Sequence, residues 1–222
     1  MDWGVVEIVS FVATVTNVLL FLSGIQIISK IYTRGSSQGF SVLPFIVCFV
    51  SSTLWTKYGL LSEDSIMILV NFIGVVIEGF YTAVFYLNTK QKQKKLQMTI
   101  FSLLAFMFAV LIYTKYFVNQ DLALKHHGFI CAAFNIINYA APLSSAAVVI
   151  RKKSTENLSL LLSVVYFLVS VEWFFYGYLH QDNFIMIPNT LGILFCSFQL
   201  SLFVFYPSKR TISDHKPDIV TF

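Results

Sequence analysis

Seven long apolar runs, separated by short polar stretches, divide the chain at approximately residues 6–29, 40–60, 66–88, 98–118, 127–150, 158–179 and 184–206. Each is close to the roughly 20 mostly apolar residues that a helix needs to cross a bilayer. None breaks into the short alternating segments of a transmembrane β-strand. Helices satisfy their own backbone N–H and C=O groups, which hydrocarbon cannot do for them. The pattern therefore predicts an all-α membrane protein with seven transmembrane helices.

The polar stretches between the runs carry orientation. Twelve of the 15 Lys and Arg residues follow the first, third, fifth and seventh runs: Lys30 and Arg34; Lys90, Lys92, Lys94 and Lys95; Arg151, Lys152 and Lys153; Lys209, Arg210 and Lys216. Only Lys57, Lys115 and Lys125 fall toward the other side. The positive-inside rule then sets the N-terminus outside and the C-terminus in the cytoplasm. The run "KQKQKK" reads first as this topology signal, with binding to membrane lipid as the weaker alternative. The sequon at Asn157 falls on the inner side, where it stays unmodified.

Composition agrees with the pattern. Hydrophobic residues make up 57% and charged residues 12% of the 222, against about 25% charged in a soluble domain. The mean hydropathy is +0.74. The start "MDWGVVEIVS" has Asp2 and Glu7 where a secretory leader carries basic residues, so the first run is expected to be retained. Cys48, Cys131 and Cys196 all lie inside apolar runs and have no metal-ligand spacing. The net charge of +4 is sorted by loop rather than gathered into a nucleic-acid-binding face.

Shifted by 118 residues, the chain repeats itself. "WTKYG" at 55–59 falls on "WFFYG" at 173–177, Asp64 on Asp182, Asn71 on Asn189 and Gly74 on Gly192, without a gap. Between residues 36 and 85 the same shift also matches Ser36, Ser41, Phe80 and Phe85, and sets "RGSSQGFS" against "KKSTENLS". Matched polar residues mark an internal duplication. Each copy holds three runs, an odd number, so an extra crossing is needed for both copies to face the same way. The almost wholly apolar fourth run supplies it. The organisation expected is a first three-helix repeat at 1–89, a basic loop and linker helix at 90–125, a second three-helix repeat at 126–206 and a cytoplasmic tail at 207–222.

Two parallel copies about an axis along the membrane normal place equivalent residues opposite each other, with a solute site near the midplane. The repeated polar residues are the first candidates. Asn71 and Asn189 each offer a donor and an acceptor and suit hydroxyl groups, whereas an ion would find no opposite charge. Helix-to-helix hydrogen bonding is the plain alternative. Trp55 and Trp173, each four residues before a glycine that ends its run, serve either as interfacial anchors or as stacking faces for a sugar ring. Tyr58 with Asp182, and Tyr176 with Asp64, stand at the outer ends and would bond across the copies as an outer gate; solvated loop aspartates are the alternative. Pro44, Pro142 and Pro188 interrupt or open apolar runs and loosen them locally.

Glu78 and Glu172 lack mates in the other copy, and local pairing or protonation accounts for them better than a coupling role. His126, His127 and His180 have no metal-ligand or catalytic company. No HExxH, GxSxG or phosphate-cradling loop occurs, so neither an enzyme, a metal site nor a cofactor is expected.

Taken together, "KSTENLS", "WFFYG", and "IPNTLG" matched by "LVNFIG" resemble the SWEET family of sugar transporters over residues 6–206. The resemblance implies a facilitative, bidirectional sugar uniporter of the plasma membrane, with internal membranes as the alternative. It implies alternating access without ion coupling, two bundles in 1-3-2 order, and assembly into homo-oligomers. On its pattern Asn71, Asn189, Trp55 and Trp173 bind the sugar. Leu19, Leu22, Ile137 and Ala140 line the pocket and set selectivity, their bulk favouring a monosaccharide. Tyr58 and Asp182 form the outer gate. Of four family hinge prolines, Pro44 and Pro142 are present; Gly24 and Leu162 replace the others. A PQ-loop-type transporter of another solute, or a seven-span receptor, would fit the runs but explains the repeat less well.

Overall fold

Nine helices among the described residues account for the seven apolar runs: α1 (Trp3–Leu22), α2 (Ile25–Arg34), α3 (Leu43–Ser62), α4 (Ser65–Leu87), α5 (Lys94–Tyr116), α6 (Gln120–Asn138), α7 (Ala140–Lys152), α8 (Leu160–Leu179) and α9 (Asn183–Phe205). The computed structural model describes residues 3–90, 94–138, 140–156 and 158–206, without the side chains of Trp3 and of residues 140–145. Asn157, the centre of "KQKQKK" and the tail from 207 onward lie outside the described residues, as do the side chains of Ala140 and Pro142.

One run expected as a single helix is divided among the described residues. The first run parts at Ser23–Gly24, with Gly24 as the N-cap of α2. A Cβ on Gly24 would lie 2.7 Å from Cε2 of Tyr81, so only glycine admits that ring so close to the joint. The fifth run is made by α6 and then α7. Six stretches are long and apolar enough to cross a membrane: Gly4–Arg34, Leu43–Ser62, Ser65–Leu87, Lys94–Tyr116, Leu160–Leu179 and Asn183–Phe205. The fifth run, whose α6 and α7 flank residue 139 outside the described residues, is not among these six, and α6 carries Lys125, His126, His127 and Asn135.

The packing repeats as the sequence does. In the first copy α4 lies against α1, α2 and α3; in the second, α9 lies against α6, α7 and α8. This is the 1-3-2 order. The copies meet through α1 on α8 and α3 on α6, contacts that exchange under the repeat, while α5 packs on α3 and α6. The backbone repeats too. Gly35 and Lys153, 118 residues apart, both take left-handed φ, of 57° and 50°, after α2 and α7. Outward-facing apolar side chains such as Leu87, Phe117 and Val204 are exposed, as a hydrocarbon-facing surface requires.

Candidate functional site

The two W..YG segments end in the same turn. After α3, Glu63 takes φ 58°, and after α8, Gln181 takes φ 53°. Each left-handed residue reverses the chain and delivers the following aspartate as the N-cap of the next helix. Asp64 accepts from the Met67 N–H at 2.9 Å and Asp182 from the Phe184 N–H at 2.8 Å. Capping fixes both carboxylates where they accept a second bond from the other copy. The Tyr58 hydroxyl donates to Asp182 at 2.6 Å, and the Tyr176 hydroxyl reaches both oxygens of Asp64, at 2.7 and 2.8 Å. Both tyrosines are buried. At this end the two copies are joined by two crossed, symmetry-related pairs.

The glycines of W..YG do not end their helices: α3 continues to Ser62 and α8 to Leu179. Their role is close approach. A Cβ on Gly59 would lie 3.0 Å from the Ile68 backbone nitrogen, and one on Gly177 2.9 Å from that of Met186. The tryptophans lie one turn before the tyrosines on the same helix face. Trp55 meets Tyr58 edge-on at 5.4 Å, and Trp173 meets Tyr176 at 5.1 Å.

Below these pairs, between the two copies, is a cavity of about 160 Å³. Trp55 and Trp173, Asn71 and Asn189 all line it, so the structure brings the four expected binding residues together. Each asparagine donates one amide N–H to a carbonyl four residues back, Asn71 to Met67 at 2.9 Å and Asn189 to Ile185 at 2.7 Å. That bond fixes the amide against its own helix and leaves its carbonyl oxygen for a solute. A third pair joins them: Asn17 of α1 and Asn135 of α6, also 118 residues apart, line the same cavity. Asn135 accepts from the Trp55 indole N–H and from Ser51, both at 3.3 Å. The remaining lining includes Phe21, Cys48 and Ser52. All lining residues are neutral.

Leu19, Leu22 and Ile137 are corrected by this geometry. All three are exposed on the outside of α1 and α6, at 61%, 40% and 68%. Asn17 and Asn135 sit two residues before Leu19 and Ile137, about 200° around the helix, and line the cavity instead. The proline hinges change as well. Pro44 opens α3, where no intrahelical bond is lost. Pro188 lies inside a helix, buried in α9 one residue before Asn189. Gly24 does stand at a joint.

Glu172, unmatched in the repeat, accepts a hydrogen bond from Thr16 and so ties α8 to α1 across the copies. Glu78 is buried in α4 and leaves Oε2 without a partner. His127 is buried, its Nε2 bonded to the Leu54 carbonyl at 2.8 Å, which also joins the copies. Among the described residues no group of His, Cys, Asp or Glu is arranged to hold a metal ion.

The family described as sugar efflux transporter for intercellular exchange matches the chain twice, at residues 7–93 and 125–211. The sugar transporter SWEET1 of Drosophila pseudoobscura pseudoobscura is 38% identical over 204 residues, covering 91% of this chain and 90% of that one. SWEET1 of Caenorhabditis elegans is 34% identical, over 93% of this chain and 67% of its own. The bidirectional sugar transporter N3 of Medicago truncatula is 35% identical, over 86% and 73%. A solved eukaryotic SWEET transporter superposes with a TM-score of 0.78 at 30% identity, covering 91% of this chain and 98% of that one. With its duplicated three-run unit, its crossed Tyr–Asp pairs and its twofold asparagine–tryptophan cavity, the chain belongs to the SWEET family of sugar transporters.

Proposed function

We propose that the chain is a facilitative, bidirectional uniporter of a neutral monosaccharide such as glucose, working by alternating access. The observation that carries this reading is the cavity walled by three symmetry-related pairs, Asn17 with Asn135, Asn71 with Asn189 and Trp55 with Trp173. Amides exchange hydrogen bonds with hydroxyl groups in both directions, and indole faces suit the C–H face of a pyranose. The cavity measures about 160 Å³. A disaccharide would need more room.

In this reading the crossed pairs Tyr58–Asp182 and Tyr176–Asp64 are the outer gate, closed here. Gly24 and Pro188 are the points of flexure. The α6–α7 pair makes the seventh crossing, and the basic loops after the first, third and fifth runs put the N-terminus outside. A plasma-membrane location and side-by-side assembly of copies complete the reading, both carried by the family resemblance. A proton-coupled or amino-acid transporter is disfavoured by the neutral lining, since a zwitterion's two charges would be desolvated without a partner.

The test is uptake of radiolabelled glucose in cells. Asn71→Ala and Asn189→Ala are each expected to abolish uptake at unchanged surface expression; normal uptake in both would sink the assignment.

A further inference from the structure

The end of the molecule opposite the tyrosine–aspartate pairs holds a second cavity, which the sugar pathway does not use. It measures about 770 Å³ and lies between the α2–α3 loop, the end of α4 and the first turns of the linker helix α5. Lys90 and Lys95 line it, with the hydroxyls of Ser36, Ser41, Thr89 and Thr99. We propose that it binds a phosphorylated polyol, the two lysines holding the phosphate and the hydroxyls meeting the polyol.

Three observations carry the assignment. First, the positive charge is uncompensated: no Asp or Glu occurs at residues 8–62 or 79–120, the segments that build the whole cavity. Arg34 adds to it at the rim, its guanidinium 6.0 Å from the centroid of Phe40, itself a lining residue. Second, the serines are set to donate. Ser36 Oγ accepts from the Gln38 N–H at 3.3 Å and Ser41 Oγ from the Leu43 N–H at 3.2 Å. Each hydroxyl so engaged as an acceptor keeps its O–H free to donate, and phosphate is an acceptor-only group.

Third, the cavity is walled by α5, a helix that has no counterpart in the repeat. The loop that carries it is pinned from beneath, with the Ser37 N–H bonded to the Asn88 carbonyl at 3.2 Å and Ser37 Oγ bonded to Thr89 Oγ1 at 2.7 Å. At the equivalent place in the second copy, Thr155 donates to the Tyr206 carbonyl at 2.9 Å and Leu158 and Tyr206 close over Ala146, Val149 and Leu202. The first copy has α5 as its outer wall instead. The site is thus a product of the linker, and apolar Phe85 and Leu96 give it a floor against which a polyol ring or a lipid glycerol can rest.

The phosphorylated polyol can be the headgroup of an inositol phospholipid or a soluble sugar phosphate, and the experiment separates these. The full chain is purified and reconstituted in phosphatidylcholine nanodiscs, with phosphatidylinositol 4-phosphate in one arm and added glucose 6-phosphate in the other. Thermal stability and bound ligand by native mass spectrometry are then read. Stabilisation and a bound adduct are expected in at least one arm, and the arm names the source. The double variant K90Q/K95Q is expected to weaken the adduct at least about tenfold, the scale of losing charged phosphate contacts. Ser41→Leu with Thr99→Leu, which removes two lining hydroxyls and partly fills the cavity without changing charge, is expected to do the same. Lys94→Gln, exposed and outside the lining, is expected to bind as the native chain does. Absence of binding in both arms overturns the proposal. So does an equal loss in Lys94→Gln, or full binding in the filled variant, since either would reduce the effect to diffuse surface charge.

Discussion

The Tyr58 hydroxyl and the Asp182 carboxylate are 124 positions apart in sequence and 2.6 Å apart in space. A hydrogen bond to a carboxylate contributes about 1.5–3 kcal/mol, and about 1.4 kcal/mol is a tenfold change in an equilibrium. Removing one hydroxyl while keeping its ring against Trp55 or Trp173 should therefore move the open–closed balance of this mouth by about tenfold or more. Cys48, which lines the sugar cavity, is a built-in reporter. In a Cys131→Ala/Cys196→Ala background, Tyr58→Phe and Tyr176→Phe are each expected to raise labelling of Cys48 by a membrane-impermeant maleimide added outside. Unchanged labelling in both would mean that the bonds do not hold this end shut. The crossed pairs are legible in the sequence because all four residues repeat at one offset. Asn17 and Asn135 repeat at the same offset, yet they fall outside the stretch from 36 to 85 where the repeat is densest. Leu19 and Ile137 stand only two positions away, and two positions on a helix is the opposite face. A resemblance that is right about the helix can thus be wrong about the side chain.

At the level of the element, the helical hairpins α3–α4 and α8–α9 are the rigid units that carry both tryptophans, both tyrosines and both capping aspartates. Their tight reversal depends on Glu63 and Gln181 in left-handed conformation. Neither is glycine, so no residue type announces the turn. What the sequence does show is the repeated glycine, whose meaning the structure alters from helix end to helix contact. Gly177 is the sharper case, since an added Cβ would lie 2.9 Å from the Met186 nitrogen and 3.2 Å from the Asp182 carbonyl oxygen. Backbone atoms cannot swing aside as a flexible side chain does, so α8 and α9 must separate. Overpacking of this kind typically costs about 1–3 kcal/mol. Gly177→Ala is expected to lower the melting temperature of the purified protein clearly. Gly35→Ala, with nothing within 4 Å but φ +57°, gives the comparison for backbone strain alone. If Gly177→Ala melts like the native chain, the hairpin tolerates separation and the glycine is not a packing requirement. The divided first run was harder to foresee, because Gly24 reads as one small residue in a long apolar stretch until the Tyr81 ring is seen beside it.

Across the whole molecule, the repeat makes a site that looks nearly the same from either side. Helix α1 meets α8 as α6 meets α3, and the asparagines and tryptophans around the cavity come in pairs. A solute bound there contacts no ionisable carboxylate, amine or imidazole, so binding it takes up or releases no proton. Glu172 is engaged with Thr16 and Glu78 is buried in α4, and neither lines the cavity. Net flux should then follow the sugar gradient alone and run in both directions. In proteoliposomes, glucose counterflow is expected at equal pH on the two sides, unchanged by a proton ionophore and retained in Glu78→Gln and Glu172→Gln. Counterflow that required a pH gradient, or that vanished in either variant at normal incorporation, would identify a coupled carrier. A carboxylate acting outside the sugar's reach would then have to drive the halves, through α4 for Glu78 or through the α1–α8 contact for Glu172. The first route runs inside the first copy and the second between the copies, so the variant that fails would also say where the movement during transport starts.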